Sequence, residues 1–287
     1  MPLDQDNHLE EKHEEKEMSF LDHVDDLRKH LVKSGLAILV LSIIAFFYID
    51  NIFDDIILGP LHHDFFTYRK LCEWSHSYYH NDQLCVKDFQ ITLQNTEMAG
   101  QFMMSFKLAF LAGIILSMPY ILYQVWKFVK PALNQKETKG SKGFVFYTGF
   151  LFGLGILFGY FVLCPISINF FATYTLSPLV KNEINIQSIV SFMSLLVLGT
   201  GLIFELPVLM YFLARIGIIS STFLKKYRKY AFVIILIVAA IVTPPDIVSQ
   251  VILTIPLYML FEIGVFITKR VENNKKKAED DYQASLK

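Results

Sequence analysis

The sequence predicts an all-helical integral membrane protein with six transmembrane helices. Three observations predict this fold class. Hydrophobic residues make up 53% of the 287 residues and charged residues only 18%. The apolar residues are collected in long runs that contain almost no charge, and successive loops are alternately rich and poor in lysine and arginine. A soluble domain of this length carries more charge and lacks such runs.

Six apolar runs are candidates for helices that cross the bilayer. A helix needs roughly 20 apolar residues to span about 30 Å of hydrocarbon. We place the spans at residues 31–49, 108–126, 144–165, 186–213, 230–243 and 247–268. Charged side chains interrupt them only at Lys33, Glu205 and Glu262. The runs must be helical, because backbone groups in lipid need internal partners and the alternating pattern of a barrel is absent.

The fifth span is short, and a tight connection joins it to the sixth. Residues 230–245 cover about 24 Å at 1.5 Å per residue. A helical hairpin of this length thins the bilayer locally or leaves a depression on one side. The connection contains Pro244, Pro245 and Asp246. We favour Asp246 as the N-cap of the sixth span after the two prolines.

The positions of lysine and arginine predict that both chain ends face the cytoplasm. On that side we place Arg28, Lys29, Lys33, Lys127, Lys130, Lys136, Lys139, Lys142, Arg215, Lys225, Lys226, Arg228, Lys229, Lys269, Arg270, Lys275, Lys276 and Lys277. The other side holds only Arg69, Lys70, Lys87, Lys107 and Lys181. We predict a flexible cytoplasmic N-terminus over residues 1–19 and, because it is polar and charged, a disordered tail over 269–287.

Carboxylates on the cytoplasmic side are candidates for binding a cationic ligand. Asp22, Asp25 and Asp26 share roughly one helical face before the first span. Acidic residues also favour the first turn of any helix, which is the simpler explanation of this cluster. Arginine binds carboxylates in bidentate fashion, so a ligand with two arginines needs two such anchors. Glu137 is a second candidate, although it is also explained as a solvated carboxylate among lysines.

Glu205 is the most unusual residue within a predicted span. A charge at a helix centre costs about 2.5–3.5 kcal/mol on insertion scales, so such residues usually face a cavity or a partner. Pro207 frees a backbone carbonyl two residues later and predicts a bend in this helix. The alternative is a protonated glutamic acid that is hydrogen-bonded to a neighbouring helix.

Polar residues on the sixth span indicate contacts between helices. Gln250 and Thr254 are four residues apart and share a helical face, and Glu262 follows further along the span. Polar side chains often join helices within membranes. The simplest interpretation is that these three residues pack against other helices of the same chain.

Two cysteines lie in the large loop between the first and second spans. Our preferred interpretation is a disulfide between Cys72 and Cys85, since the predicted compartment is oxidising. One alternative is a metal site, because cysteines and histidines recur every four positions or lie nearby. Its candidate ligands are Cys72, His76, His80, His62, His63 and Cys85. Two free thiols are the third possibility. Cys164, within the third span, is interpreted as a small buried residue.

Several catalytic motifs are absent from the sequence. There is no GxxxxGK[ST] motif for nucleotide hydrolysis. There is also no HExxH zinc pair and no GxSxG nucleophile for an intramembrane protease. The sequence therefore predicts neither an enzyme nor a cofactor, and nothing in it indicates binding to nucleic acid.

Five short blocks, in order along residues 23–265, resemble the TatC family, the signal-peptide-binding subunit of the twin-arginine protein translocase. The blocks are HVDDLRK at 23–29, SMPYILYQVWKFVKPALNQKE at 117–137, FELPV at 204–208, TPPDIVSQ at 243–250 and IPLYMLFEIGV at 255–265. Five blocks in the right order are far more specific than any one of them.

The resemblance implies a concave, glove-shaped bundle of six helices in the bacterial inner membrane. It implies that Asp26 and Glu137 meet the two arginines of the signal peptide, with Leu27 and Asp25 in the same site. The family usually carries glutamate where Asp26 stands here, so the docking geometry is adjusted or Asp25 shares the role. Lys130 also replaces the family's usual apolar residue.

The resemblance also implies partners. Glu205 would be a polar feature of the concave surface that hydrates and thins the membrane or contacts the inserted signal peptide. Gln250, Thr254 and Glu262 would lie near a docking edge for the single-helix proteins TatA and TatB. The receptor would self-associate, and the protonmotive force would drive export of folded proteins. Residues 62–93 would be an insertion relative to the family's shorter loop.

Two other classes of function are compatible with six helices. A proton-coupled transporter of a small solute would use Glu205 and Glu262 as proton sites. The internal repeats of many such transporters are absent from this sequence. A purely structural membrane anchor would leave the acidic segment before the first span and Glu205 unexplained.

Overall fold

The computed structural model describes residues 20–78, 85, 92–129, 141–177, 183–243 and 247–285. These residues are almost entirely helical, which confirms the predicted fold class. Within them, five helical segments are long and apolar enough to cross a membrane. They are Val24–Phe47, Gly100–Phe128, Val145–Thr173, Ile186–Arg215 and Ile247–Ala284.

The helices follow the chain in a simple order. Their bounds are α1 Phe20–Phe47, α2 Ile49–Asn51, α3 Phe66–Tyr78, α4 Gly100–Val129, α5 Ser141–Phe158, α6 Cys164–Thr173, α7 Ile186–Phe204, α8 Leu206–Arg215, α9 Ser221–Lys226, α10 Arg228–Val242 and α11 Ile247–Ser285. Wider π-helical turns at Ile52–Ile57 and Gly159–Leu163 continue α2 and join α5 to α6. A 3₁₀ turn covers Gly59–Leu61.

The predicted fifth span corresponds to α10, which is shorter than the other candidate spans. Its 15 residues cover about 22 Å, less than the roughly 30 Å of a bilayer core. Of the six spans that the sequence predicts, five thus correspond to full-length candidate spans in the described residues and the fifth along the chain corresponds to the shorter α10. Pro244, Pro245 and Asp246, the predicted connection after α10, lie outside the described residues.

The long helices alternate in direction. His30 of α1 is hydrogen-bonded to Gln124 of α4, whereas Phe46 and Phe106 stack at the other end of the same pair. Helices α1 and α4 are therefore antiparallel. The end of the bundle where α1 begins and where α4, α8 and α11 end carries Arg28, Lys127, Arg215 and Lys269. We call it the basic end, and the opposite end, with α3, the loop end.

A short parallel sheet at the loop end was not predicted from the sequence. Strand β1, Thr92–Gln94, pairs with β2, Glu183–Asn185, in a parallel register. The strands are parallel because each leads into a helix, α4 or α7, that runs towards the basic end. Side chains join the same two segments, since Asn185 donates to Thr96 at 2.9 Å and Gln187 donates to Glu97 at 2.8 Å.

The core lies between the segment α5–α6, helix α7 and helix α11. Leu163, Val190, Leu196 and Leu253 are fully buried there. Helix α1 lies at the periphery: among residues 24–47 only Ala45 is buried. Its packing partner is chiefly α4.

The prediction of a disordered tail over residues 269–287 was wrong for residues 269–285, which continue helix α11. Lysine, glutamate and alanine are strong helix formers, and a helix that is already nucleated extends at little cost. Two contacts also hold this extension. Glu272 accepts hydrogen bonds from Ser221, and Lys275 donates to the carbonyl oxygen of Arg215.

Candidate functional site at the basic end

Asp26 lies near the start of α1 at the basic end and is half-buried. Lys29 pairs with it, the Nζ–Oδ1 distance being 3.0 Å and the side chains 67% and 35% exposed. An exposed pair of this kind contributes about 0–1 kcal/mol. A guanidinium group of a ligand can therefore replace this pair at small cost. Asp25 and Leu27, predicted to share this site, are exposed beside it.

A hydrogen bond between helices fixes the position of this acidic turn. Nδ1 of His30 lies 2.6 Å from Oε1 of Gln124 on α4. The ring of His30 also meets the ring of Phe128 edge-on, at 6.3 Å between centroids. Asp26, one turn before His30, is thereby held beside the end of α4. Sequence reasoning missed this bond, although a polar pair in two apolar helices could have indicated it.

Helix α4 is anchored near its end by Trp126. This side chain is only 4% exposed and packs against Phe212 of α8, with ring centroids 5.8 Å apart. Glu137 is the second predicted carboxylate, and it follows α4 in the sequence by eight residues. Glu137 and Lys130 lie outside the described residues.

The turn between α8 and α10 forms the other side of the basic end. Gly217, at φ +84°, ends α8 in the left-handed region that favours glycine. Glu272 then caps α9, because its carboxylate accepts hydrogen bonds from the backbone N–H of Ser221, at 2.9 Å, and from its hydroxyl. This attachment of α11 to α9 joins residues 51 positions apart, so the sequence alone gave no indication of it.

Glu205 lies at a break between two helices. Helix α7 ends at Phe204 and α8 begins at Leu206, which agrees with the bend predicted from Pro207. Both carboxylate oxygens of Glu205 are buried, and they have no hydrogen-bond partner among the described residues. A hydrogen bond from the Glu205 carboxyl to a neighbouring helix, the alternative considered above, is therefore not seen within the described part of the chain.

The polar residues of α11 make contacts within the same chain. Nε2 of Gln250 donates to the carbonyl oxygen of Leu236 on α10, at 3.3 Å. Thr254 donates to the carbonyl oxygen of Gln250, at 2.7 Å. Glu262 forms an ion pair with Arg228 at the start of α10, at 2.6 Å. These contacts fit the simpler interpretation of intramolecular packing, and the docking role stays a prediction.

At the loop end, Cys72 and Cys85 form a disulfide, in line with our preferred interpretation. Helix α3, which carries Cys72, is anchored by the buried Tyr68. Its hydroxyl donates to the carbonyl oxygens of Pro60 and Pro165, at 3.1 and 2.8 Å. Burial raises the pKa of the Tyr68 phenol well above its ordinary value, so it stays a neutral donor. Cys164 is fully buried, as expected.

The chain resembles one family of proteins over nearly its whole length. A family model described as Sec-independent protein translocase protein (TatC) matches residues 22–256. The TatC protein of Blattabacterium sp. subsp. Periplaneta americana is 41% identical over 267 residues, which cover 92% of this chain and 100% of that protein. The TatC protein of Helicobacter pylori strain J99 is 37% identical over 92% of this chain and 94% of its own length.

Solved structures give the same result. Two crystal structures of the twin arginine translocase receptor TatC superimpose with TM-scores of 0.66 and 0.67 at 29% and 30% identity. The matches cover 87% and 86% of this chain and 99% of each solved chain. The fold, the five candidate spans and the sequence similarity thus agree, and this multi-pass membrane protein belongs to the TatC family of Sec-independent protein translocase proteins.

Proposed function

We propose that this protein is the recognition subunit of a twin-arginine translocase. It binds the twin-arginine signal peptides of folded proteins at the basic end, where Asp26 and Glu137 each pair with one arginine. Leu27 and Asp25 border the same site. The role is one of binding, and no covalent chemistry is assigned to any residue. Related chains of known structure are described as the twin arginine translocase receptor, which supports this assignment.

The observation that carries the proposal is the state of Asp26. Asp26 forms an exposed ion pair with Lys29, and its turn is fixed against α4 through His30. A preorganised carboxylate suits a bidentate guanidinium, which forms a stronger and more directional pair than the lysine ammonium that lies beside Asp26. Binding to a positioned group also avoids the entropic cost of ordering it.

The proposed orientation places the basic end in the cytoplasm. Arg28, Lys127, Arg215 and Lys269 lie at that end, and cytoplasmic ends of membrane proteins are enriched in basic residues. Both chain termini would then be cytoplasmic, and the membrane would be the bacterial inner membrane. The loop end, with residues 62–93 as an insertion, would face the opposite compartment.

We further propose that the protein acts within a complex. TatA- and TatB-type single-helix proteins would dock near α10 and α11, beside Gln250, Thr254 and Glu262. The shortness of α10 supports a docking edge there, because a partner helix can cover a surface where the bilayer is thinned. Copies of this chain would self-associate in the receptor complex, and the protonmotive force would drive transport.

A twin-arginine peptide is expected to bind the detergent-purified protein, and a matched peptide with two lysines is expected to bind at least about tenfold more weakly. The reason is geometric: guanidinium pairs with carboxylate through two parallel hydrogen bonds, whereas ammonium acts as a point charge. Fluorescence anisotropy with labelled peptides at two salt concentrations measures the difference.

Equal affinity for the two peptides would contradict specific arginine recognition. If neither peptide binds, with or without single-helix partner subunits, a small-solute transporter becomes the better hypothesis. That alternative requires proton-coupled uptake by the chain alone in liposomes. The proposed receptor should show no such uptake.

Replacement of Glu205 by leucine or by glutamine is expected to slow export of a folded cargo while peptide binding at the basic end is retained. The carboxyl group is buried without a described partner. Burial of such a group destabilises the folded protein, so its presence indicates a functional role. Export into inverted vesicles and peptide binding are measured in parallel. Normal export rates in both variants would exclude a role for Glu205 in transport.

A further inference from the structure

Helix α3 presents metal-ligating side chains at the loop end, far from the proposed peptide site. Cys72 and His76 are four residues apart on this helix, so they lie on one face. Cys85 reaches the same face from the segment that follows. The three possible ligand atoms, Sγ of both cysteines and one imidazole nitrogen, all lie within 4.8 Å of one another.

The helix that carries two of these ligands is held in place. Tyr68 is bonded to two backbone carbonyls, those of Pro60 and Pro165. Thr67 donates to the carbonyl oxygen of Phe161, and Ser75 is fully buried. A ligand pair on a fixed helix needs little reorganisation to bind a metal ion, because its two side chains are already positioned.

One of the three ligand separations already fits tetrahedral coordination. With Zn–S bonds of about 2.3 Å and Zn–N bonds of about 2.0 Å, neighbouring ligand atoms lie about 3.5–3.8 Å apart. The observed distance from Sγ of Cys85 to Nε2 of His76 is 3.6 Å. The Cα atoms of Cys72 and Cys85 are 4.3 Å apart. After reduction, rotation of the two side chains about their Cα–Cβ bonds would move the sulfur atoms apart towards this spacing.

We propose that Cys72, Cys85 and His76 form a thiol-gated site for Zn²⁺, which is closed by the disulfide and opened by its reduction. A dithiol reductant gives two electrons and two protons to the disulfide and becomes a cyclic disulfide itself. The two resulting thiols then bind Zn²⁺ as thiolates and release two protons, while neutral His76 donates a nitrogen lone pair. Water completes the fourth position.

The disulfide and the metal exclude each other, because both use the same two sulfur atoms. A disulfide oxidant would take two electrons from the bound thiolates, re-form the S–S bond and release Zn²⁺. The site thus couples the redox state of the loop end to metal occupancy. It goes beyond the proposed function and does not depend on it, since no residue of the site lies at the basic end.

The test uses the full-length, tag-free protein in detergent, before and after treatment with a dithiol that is then removed. Co²⁺ serves as the spectroscopic probe and Zn²⁺ as its competitor. The variants are His76→Ala, the double variant Cys72→Ser/Cys85→Ser, and His63→Ala as the matched control. His63, one of the candidate ligands considered from the sequence, is an exposed histidine before α3, and it is not part of the cluster of Cys72, His76 and Cys85.

Reduced wild-type protein is expected to bind one equivalent of Co²⁺ with thiolate-to-metal charge-transfer absorption, which Zn²⁺ then removes. Oxidised protein and the double serine variant should show none. His76→Ala, which keeps both cysteines, should weaken Zn²⁺ binding by about tenfold or more, since even residues that only support a ligand contribute 10–100-fold. His63→Ala should bind as wild type does. Absence of the absorption in reduced wild type, or equal affinity in His76→Ala, would overturn the proposal.

Discussion

Replacement of Asp26 by asparagine is expected to weaken binding of a twin-arginine peptide by about 10- to 100-fold. A hydrogen bond to a charged group contributes about 1.5–3 kcal/mol, and each 1.4 kcal/mol corresponds to a factor of ten in affinity. Asparagine keeps the shape of the side chain but has no charge and only one acceptor oxygen, so it cannot form the bidentate pair with a guanidinium. Glu137→Gln should cause a loss of similar size, and the double variant should show no measurable binding.

Peptide anisotropy measures these affinities, and the structure supplies the controls. Asp54→Asn removes an exposed carboxylate in the π-helical turn at the loop end and should leave binding unchanged. Asp25→Asn distinguishes the contribution of Asp25 to peptide binding from that of its neighbour Asp26. The two differ in environment, because Asp25 is exposed whereas Asp26 is half-buried beside α4. Unchanged affinity in the Asp26 and Glu137 double variant would refute the assignment of these two residues and would move the proposed site to Asp22 or Asp25.

The membrane-crossing segments were predictable because hydropathy reports burial in lipid directly. The run at 186–213 and the break at Pro207 correspond to α7 and α8. Helix ends were less predictable. Helix α4 begins at Gly100, eight residues before the predicted span. Hydropathy marks where apolar residues lie and does not mark where a helix starts. Lys107 directly precedes the predicted span and lies within α4 in the structure. Its ammonium group donates to the hydroxyl of Ser191 on α7, at 2.5 Å.

Contacts between distant parts of the chain were not predictable. Strands β1 and β2 have three residues each and lie about ninety positions apart, so their pairing leaves no periodic pattern. The hydrogen bond between Glu272 and Ser221 was unpredictable for the same reason, since it joins residues 51 positions apart. At the candidate site, charge and family resemblance indicated Asp26. Its position, however, depends on the hydrogen bond between His30 and Gln124, 94 positions apart.

The second large effect is expected at Gly155, where α5 packs directly against the backbone of α7. A Cβ atom at this position would lie 2.7 Å from the carbonyl oxygen of Thr200 and 2.8 Å from Cα of Gly201. Both are backbone atoms of α7, so the clash can be relieved only if one helix moves. The hydroxyl of Thr200 also donates to the carbonyl oxygen of Gly155, at 3.0 Å, and a shift of either helix would lengthen this bond.

Gly155→Ala is therefore expected to destabilise the folded protein by about 1–3 kcal/mol, the usual cost of an overpacked core. Gly153→Ala is the matched control, because a Cβ atom there meets nothing within 4 Å. The two variants make the same chemical change two residues apart on one helix. Thermal unfolding in detergent should show a clear drop in midpoint for Gly155→Ala and none for Gly153→Ala. Equal midpoints would mean that α5 and α7 are not held as closely as the structure places them. The packing of α5 against α7 in the membrane would then not depend on small residues at their interface.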